Sequence, residues 1–373
     1  MEKPLAGIRV VELARILAGP WAGQLLADLG AEVVKVERPG AGDDTRQWGP
    51  PFIAGRDGEN LGAAYFHACN RGKKSVAIDI HSASGQQQVR ALASDADILI
   101  ENFKVGGLAR YGLDYESLAA LNPGLVYCSI TGFGQTGPYA SRAGYDFIIQ
   151  GMGGAMSLTG EPDGDPQKAG VAYADIFTGL YATVAILAAL RGRDESGRGA
   201  HIDMALLDSQ VAVLANQALN WMASGKTPKR MGNGHPNLVP YQAFKVADGE
   251  IIIAVGSDRQ FAKLCEIIGT AELAHDDRFR TNPGRVVHRE TLLPLLEQRL
   301  AGRGRQELSE ALEAAGIPAG PINDLPQVFA DPQVVARGMR LDLGGIPGLA
   351  SPIVIDGKRQ VAEQPSPSLD KPG

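Results

Sequence analysis

The chain has little of what builds a disulfide-held or metal-centred protein. Three cysteines, Cys69, Cys128 and Cys265, stand far apart among 373 residues, too few and too scattered for a disulfide framework. They read as reduced thiols, and with them comes the expectation of a cytoplasmic protein. Neither they nor the six histidines fall at zinc spacing, so no metal is expected. His201-Ile202-Asp203 reads as a strand fragment rather than a ligand pair. Positive charge is also short. Against 42 Asp and Glu there are 36 Lys and Arg, a net charge of −6, which gives no reason to expect nucleic acid or an anionic membrane as a partner. The longest apolar run, 176–190, contains Thr and Gly and is short for a membrane span. The opening residues lead into a strand pattern without a signal peptide.

What is present is the composition of a globular enzyme, 44% hydrophobic and 21% charged, in a chain long enough for about two domains. The first third alternates strand and helix patterns. Strands are expected at 8–13, 31–37, 75–80, 97–101 and 125–131, and helices at 21–29, 84–93 and 115–121, with Pro20 in a first helical turn and Gly30 closing the first helix. Apolar strands separated by helices imply an α/β fold, with a mainly parallel sheet covered on both faces. A second unit starts near Lys226. Its strands at 241–246 and 250–255 flank an Asp248-Gly249 turn, and helices are expected at 258–268, 292–300 and 306–315. The expected organisation is a large Rossmann-like domain of residues 1–205 and 331–373, a linker helix region at 206–225, and a smaller α+β domain at 226–330. The Gly- and Pro-rich tail beyond 339 is expected to pack back on the large domain.

Ligands of parallel sheets bind beyond the carboxyl ends of the strands. There the sequence gathers Arg15, Arg38, Asn102-Phe103-Lys104 and Gly132-Phe133-Gly134, with Arg71, Lys73, Lys74 and Arg110 nearby. These are donors suited to phosphate, or else solvated loop charge. The turn after the first strand, Ala14-Arg15-Ile16-Leu17-Ala18-Gly19-Pro20, lacks G-x-G-x-x-G, and the segment Gly151-Met152-Gly153-Gly154 fails the pattern as well. A nicotinamide dehydrogenase is therefore a poor fit. Asp175 opens the apolar run after Gly170-Val171-Ala172-Tyr173-Ala174. By position it reads as a helix N-cap or as a carboxylate held at the positive end of a helix beside room for a ligand.

Taken together, the motifs resemble the family III CoA-transferases, which include formyl-CoA transferase and the carnitine CoA-transferases and share a scaffold with alpha-methylacyl-CoA racemase. The resemblance rests on Gly19-Pro20, Gly30-Ala31-Glu32-Val33-Val34-Lys35-Val36-Glu37-Arg38, the 42–46 segment, Asn70-Arg71-Gly72-Lys73-Lys74-Ser75 and Glu101-Asn102-Phe103. It continues through Gly132-Phe133-Gly134, Gly137-Pro138, Gly144-Tyr145-Asp146, the Asp175 segment, Gly197-Arg198-Gly199, Gly316-Ile317-Pro318-Ala319-Gly320-Pro321 and Asp331-Pro332. It covers nearly the whole chain in family order.

The resemblance implies that Asp175 is a nucleophile, carrying CoA as a covalent aspartyl thioester from an acyl-CoA donor to a carboxylic acid. It implies CoA contacts from Arg38 and Lys73 to nucleotide phosphate, with Asn70 as a further CoA-binding residue. Leu17 and Ala18 would offer backbone on the adenine side. Asn102, Phe103, Lys104 and Arg110 would meet adenine and pantetheine, and Tyr145 and Asp146 would flank the thioester. Trp48 would stand near the acyl pocket, and backbone N–H groups of Gly153-Gly154 or Gly256-Ser257 would serve the oxyanion. Formyl-CoA transferase shields its intermediates with a run of glycines, where this chain has only Gly256-Ser257-Asp258.

The segment 235–244 looks like the branch that takes dicarboxylates such as glutarate, succinate, citramalate or mesaconate, with His235, Asn237 or Arg259 as candidates for the second carboxylate. Succinyl-CoA is the preferred donor. The family also implies an interlocked-ring homodimer. Two other readings stay open, a racemase and a CoA-binding protein without turnover. The racemase carries a His in the segment corresponding to 142–146, where this chain has Tyr145, and a tyrosine with a pKa near ~10 is a poor base at neutral pH.

Overall fold

The central strands of the first unit alternate between two buried faces, and the unit's strands stack into one sheet covered by helices. They are β1 (Arg9–Glu12), β2 (Glu32–Glu37), β3 (Lys73–Ala77), β4 (Ile98–Glu101), β5 (Val126–Thr131) and β6 (His201–Ala205). In this computed structural model, which describes residues 3–55 and 57–370, each neighbouring pair is parallel and the order is β3-β2-β1-β4-β5-β6. Val10, Ile98, Ile100, Val126 and Cys128 face one core. Val11, Leu99 and Tyr127, one residue out of phase, face the other.

Helices fill both faces: α1 (Ala18–Asp28), α2 (Ala83–Ser94), α3 (Tyr115–Leu121), α4 (Asp146–Met152), α5 (Tyr173–Ser196) and α6 (Leu206–Ala212). On the first face Ala22 and Leu26 of α1 pack with Ala182, Ile186 and Leu190 of α5. On the second lie Val89 and Ala93 of α2 and Leu118 of α3. A side chain at Gly19 would run into Ala14, and one at Gly23 into the Glu12 carboxylate, so these glycines let α1 press against the end of β1. α5 is long and apolar enough to cross a membrane by length and composition. One side of it lies in the core, while Phe177, Leu180, Tyr181 and Val184 stay exposed at helical spacing.

The elements start earlier than the sequence reading in two places that bear on the site. α1 begins at Ala18, so Pro20 is its third residue, still within the turn whose N–H groups need no helical partner. β3 begins at Lys73 rather than Ser75. Successive strand residues point to opposite faces, so Lys73 is buried and Lys74 exposed.

The second unit comprises Met156–Gln167 and Ala215–Ala330. β7 (Tyr241–Val246), β8 (Gly249–Ala254) and β9 (Ala319–Pro321) form an antiparallel sheet in the order β9-β8-β7. Phe244, Ile251 and Ile253 pack there with Phe261, Leu264, Leu292, Leu296 and Leu308 from the helices. The boundaries differ from the expected ones for two reasons. Residues 206–214 belong to the first unit, where α6 packs on α4 and α5 and the Leu207 N–H donates to the Gly132 carbonyl at 3.1 Å. The segment 156–167 belongs to the second, joined by Gly232 N–H to Gly160 C=O at 3.0 Å and by Arg230 to the Gly164 carbonyl at 2.6 Å. The C-terminal tail is part of the first unit. Arg71 donates to the Leu349 carbonyl at 2.7 Å, and the Ala362 N–H donates to Asp28 at 2.8 Å.

Candidate active site

The strand order reverses between β1 and β4. Their following turns diverge there and leave a crevice. The Asn102 amide bridges the two turns, accepting from the Arg15 N–H at 2.9 Å and donating to the Arg15 carbonyl at 2.7 Å. The crevice is a cavity of about 280 Å³. Arg15, Ile16, Leu17 and Ala18 line it from the end of β1, and Asn102, Phe103, Lys104 and Val105 from the end of β4. Thr131 ends β5 and Gly132 follows it, Arg142, Ala143, Gly144 and Tyr145 lie beyond, and Asp175 reaches in from α5.

Asp175 is not the cap of its helix. α5 starts after Ala172, which puts Asp175 at the third helical position with its carboxylate in the cavity. The capping acceptor comes from far away in sequence. Asp146 accepts the N–H groups of Ala174 at 2.9 Å and Asp175 at 3.3 Å, and its other oxygen accepts from Gln150 at 2.6 Å. Asp146 therefore holds the helix end that carries Asp175. Burial first, and the negative charge of Asp146 second, push the Asp175 carboxyl from 3.8 up to about 7. Both effects disfavour the ionised form, and the carboxylate that remains is more basic and more nucleophilic than a solvated one.

Tyr65 lies within reach of the charge of this group. Burial, then the charge of Asp175, raise its hydroxyl to about 12, so it stays an O–H donor at neutral pH. Trp48 packs edge-on against Tyr65 with ring centroids 5.3 Å apart, which ties it to the Asp175 neighbourhood. No motif marked Tyr65, which follows a short hairpin. Arg142 also escaped the sequence reading. Its guanidinium lies over Tyr139 at 4.6 Å and Phe133 at 5.3 Å, so aromatic faces hold a cation at the rim.

Of the cations singled out in the sequence, Arg15 and Lys104 line the cavity. Arg15 sits over Phe103 at 5.9 Å and pairs with Asp44 at 2.8 Å. Arg38 does not line the cavity but shares Asp44 with Arg15. Arg71 forms a buried pair with Asp28, and Arg110 lies on Tyr111 at 4.7 Å. Lys73 and Asn70 are not presented to a ligand. The Lys73 ammonium is buried against Glu12 at 2.9 Å, the Pro20 carbonyl at 2.8 Å and Asn70 Oδ1 at 2.9 Å, while Asn70 donates to the Phe66 carbonyl. Burial of Lys73 follows from the early start of β3, and Asn70 serves it as an internal acceptor.

The oxyanion candidates are engaged elsewhere. The Gly153 N–H donates to the Ile149 carbonyl at 2.7 Å and that of Gly154 to Gly151 at 3.3 Å, closing α4. Gly256 and Ser257 belong to the second unit, where the Gly256 N–H donates to Gln260 and Ser257 caps the following helix. His235 and Asn237 also lie in that unit and bond to each other. Among the described residues no cluster of His, Cys, Asp and Glu could hold a metal ion.

The family model of CoA-transferase family III matches residues 5–371. The chain belongs to CoA-transferase family III. A succinate–glutarate CoA-transferase of Agrobacterium fabrum is 57% identical over 371 residues, 98% of this chain and 93% of that protein. A succinyl-CoA:glutarate CoA-transferase of Mus musculus is 45% identical, over 98% of this chain and 84% of its own length. Among solved structures, a CAIB/BAIF family protein from Brucella suis is 60% identical with a TM-score of 0.88, covering 99% of this chain and 97% of its own. The protein is thus a family III CoA-transferase, with acyl-CoA and carboxylic acids as its substrates, and the cavity at the sheet crevice is its candidate active site.

Proposed function

We propose that this CoA-transferase moves CoA from succinyl-CoA to a dicarboxylate, glutarate being the acceptor suggested by its relatives, through a thioester on Asp175. The observation that carries the reading is the Asp175 carboxylate in the crevice, raised to about 7 by burial and Asp146. The carboxylate attacks the thioester carbonyl, giving a mixed succinyl–aspartyl anhydride and CoA thiolate, a workable leaving group because a thiol pKa lies near ~8.5. The thiolate attacks the aspartyl carbonyl, and succinate leaves. Glutarate then attacks the aspartyl thioester and frees the thiolate, which takes the glutaryl group and restores the Asp175 carboxylate. Each intermediate is near a thioester in energy, so no nucleotide is hydrolysed.

Arg15 and Lys104 are the phosphate contacts best placed by this reading, since both line the same cavity. Tyr65 supplies an O–H donor for the tetrahedral oxyanions. Arg142 is the cation suited to the second carboxylate, being in the cavity wall and held on aromatic faces. Among the described residues that line the cavity there is no histidine, so the second base on the opposite face that racemisation needs has no candidate of that type among them. We also read the protein as a homodimer, because the exposed apolar face of α5 is a surface of the kind that subunits cover.

The test is direct. Wild-type protein with succinyl-CoA and glutarate should give glutaryl-CoA, and Asp175→Asn should be slower by about 10³-fold or more. Deuterium entering the alpha carbon of a branched acyl-CoA, with no acyl exchange, would reject the reading for racemisation.

A further inference from the structure

The turn after β1 is held in a conformation its own sequence opposes. Ile16 has φ +73°, in the left-handed region where a β-branched side chain crowds its own backbone. Contacts from distant parts of the chain grip the turn. Asn102 holds both polar groups of the Arg15 backbone. The Ile16 N–H faces the Asp43 carboxylate, 3.2 and 3.4 Å from its two oxygens, and the Ile16 carbonyl accepts from the Cys69 thiol at 3.5 Å. Asp43 is seated in turn on Lys35, whose ammonium lies 3.0 Å from it, 3.0 Å from Glu12 and 2.8 Å from the Ala14 carbonyl. Asp43, Lys35 and Glu12 are all buried. A buried ion group of this kind seldom improves stability over apolar packing, so its place directly beneath a strained turn calls for another reason.

We propose that Asp43 is a positioning residue: seated on Lys35, it clasps the Ile16 peptide in the left-handed conformation and so fixes the wall of the cleft that receives CoA. The inference rests on the CoA-transferase reading of that cleft. With Ile16 left-handed, the four residues from Arg15 to Ala18 all line the cavity, and the chain reverses in time to begin α1 at Ala18. Without the clasp, Ile16 relaxes to a right-handed or extended backbone. The peptide planes on either side of it turn, and the wall is lost while Asp175, on a different element, stays where it is. Dinucleotide-binding turns reach a comparable tight geometry with glycine. Here a carboxylate holds a residue that lacks glycine's freedom.

The experiment measures succinyl-CoA:glutarate kinetics and calorimetric binding of CoA for wild type, Asp43→Asn, Asp43→Glu and the double variant Asp43→Asn/Ile16→Gly. Replacing the charged acceptor by a neutral one, no longer seated as an ion pair on Lys35, should raise KM for succinyl-CoA and Kd for CoA about tenfold or more in Asp43→Asn, with kcat within about threefold of wild type. Adding Ile16→Gly should recover at least half of that loss on a logarithmic scale, because glycine adopts positive φ without the clasp. A merely structural role would lower the melting temperature, leave KM unmoved and show no rescue, and that result overturns the proposal. If Asp43→Asn does not fold, Asp43→Glu keeps the charge on Lys35 while displacing the acceptor, and the same rise in KM is expected of it. Failure of both variants to fold would make Asp43 a folding residue and also overturn the proposal. A wild type that binds no CoA would instead sink the reading of the cleft itself, and the clasp with it. Wild-type binding matched by every variant would overturn the clasp alone.

Discussion

Asp175→Asn should make the folded protein more stable above neutral pH. A carboxyl moved from 3.8 to about 7 on folding costs about 4 kcal/mol when fully ionised, at about 1.4 kcal/mol per unit. Two effects reduce this ceiling. The positive end of α5 favours the carboxylate by about 0.3–1 kcal/mol, and water in the open cavity screens it further. The asparagine is left with a net advantage of about 1–3 kcal/mol. The folded pKa is raised, so the folded state holds more protons than the unfolded state between pH 3.8 and about 7. Native stability therefore falls as pH rises through that window, and the variant escapes the fall. Urea unfolding of both proteins at equal concentration, at pH 4, 6 and 8, reads the difference. It should be near zero at pH 4 and reach its full value at pH 8. Equal stabilities at pH 8, or a more stable wild type, would refute the claim that burial and Asp146 hold this carboxyl high.

Asp146→Asn keeps an acceptor for the N–H groups of α5 but removes the charge facing Asp175. The pH midpoint of kcat/KM, expected near 7 with activity rising toward alkaline pH because Asp175 must be ionised, should move down. An unmoved midpoint would deny Asp146 that influence. Glu101 is the control, since burial also raises it to about 7 while it accepts the Phe103 N–H at 2.7 Å. Glu101→Gln should leave the midpoint in place, and a profile that loses its acid limb would assign the titration to Glu101 instead. Arg15→Ala should raise KM for succinyl-CoA by about 10–100-fold, the worth of a charge-assisted hydrogen bond, with kcat little changed. Equal losses in kcat and kcat/KM would move Arg15 from binding to the reacting centre.

Much of the fold was legible because it is written locally. The strands of the first unit are short apolar runs bounded by turn residues, and α3 and β7 occupy the residues their patterns indicated. Strand order was not legible, because the reversal between β1 and β4 depends on which strands pair, and no local pattern carries that. The missing G-x-G-x-x-G correctly argued against a nicotinamide dehydrogenase. It gave no hint that the turn would be shaped instead by Asp43 and Asn102, 27 and 87 residues away. Lys73 was misread because two adjacent lysines look alike in sequence, yet a strand that begins at the first of them buries one and exposes the other. Asp175 stood out from its small neighbours and the family pattern. Its freedom from capping duty could not be seen, since the cap is Asp146, 29 residues earlier. Gly153 and Gly154 resembled an oxyanion hole because glycine pairs mark close turns of any kind, and only the hydrogen bonds show that theirs close a helix.

The covalent step is the centre of the account, and peptide mapping after chemical trapping tests it most directly. Protein mixed with succinyl-CoA and quenched with hydroxylamine should carry a hydroxamate on the peptide containing Asp175, absent without succinyl-CoA and absent from Asp175→Asn. Glutaryl-CoA formed at an undiminished rate by Asp175→Asn, or a hydroxamate on another carboxylate, would contradict it.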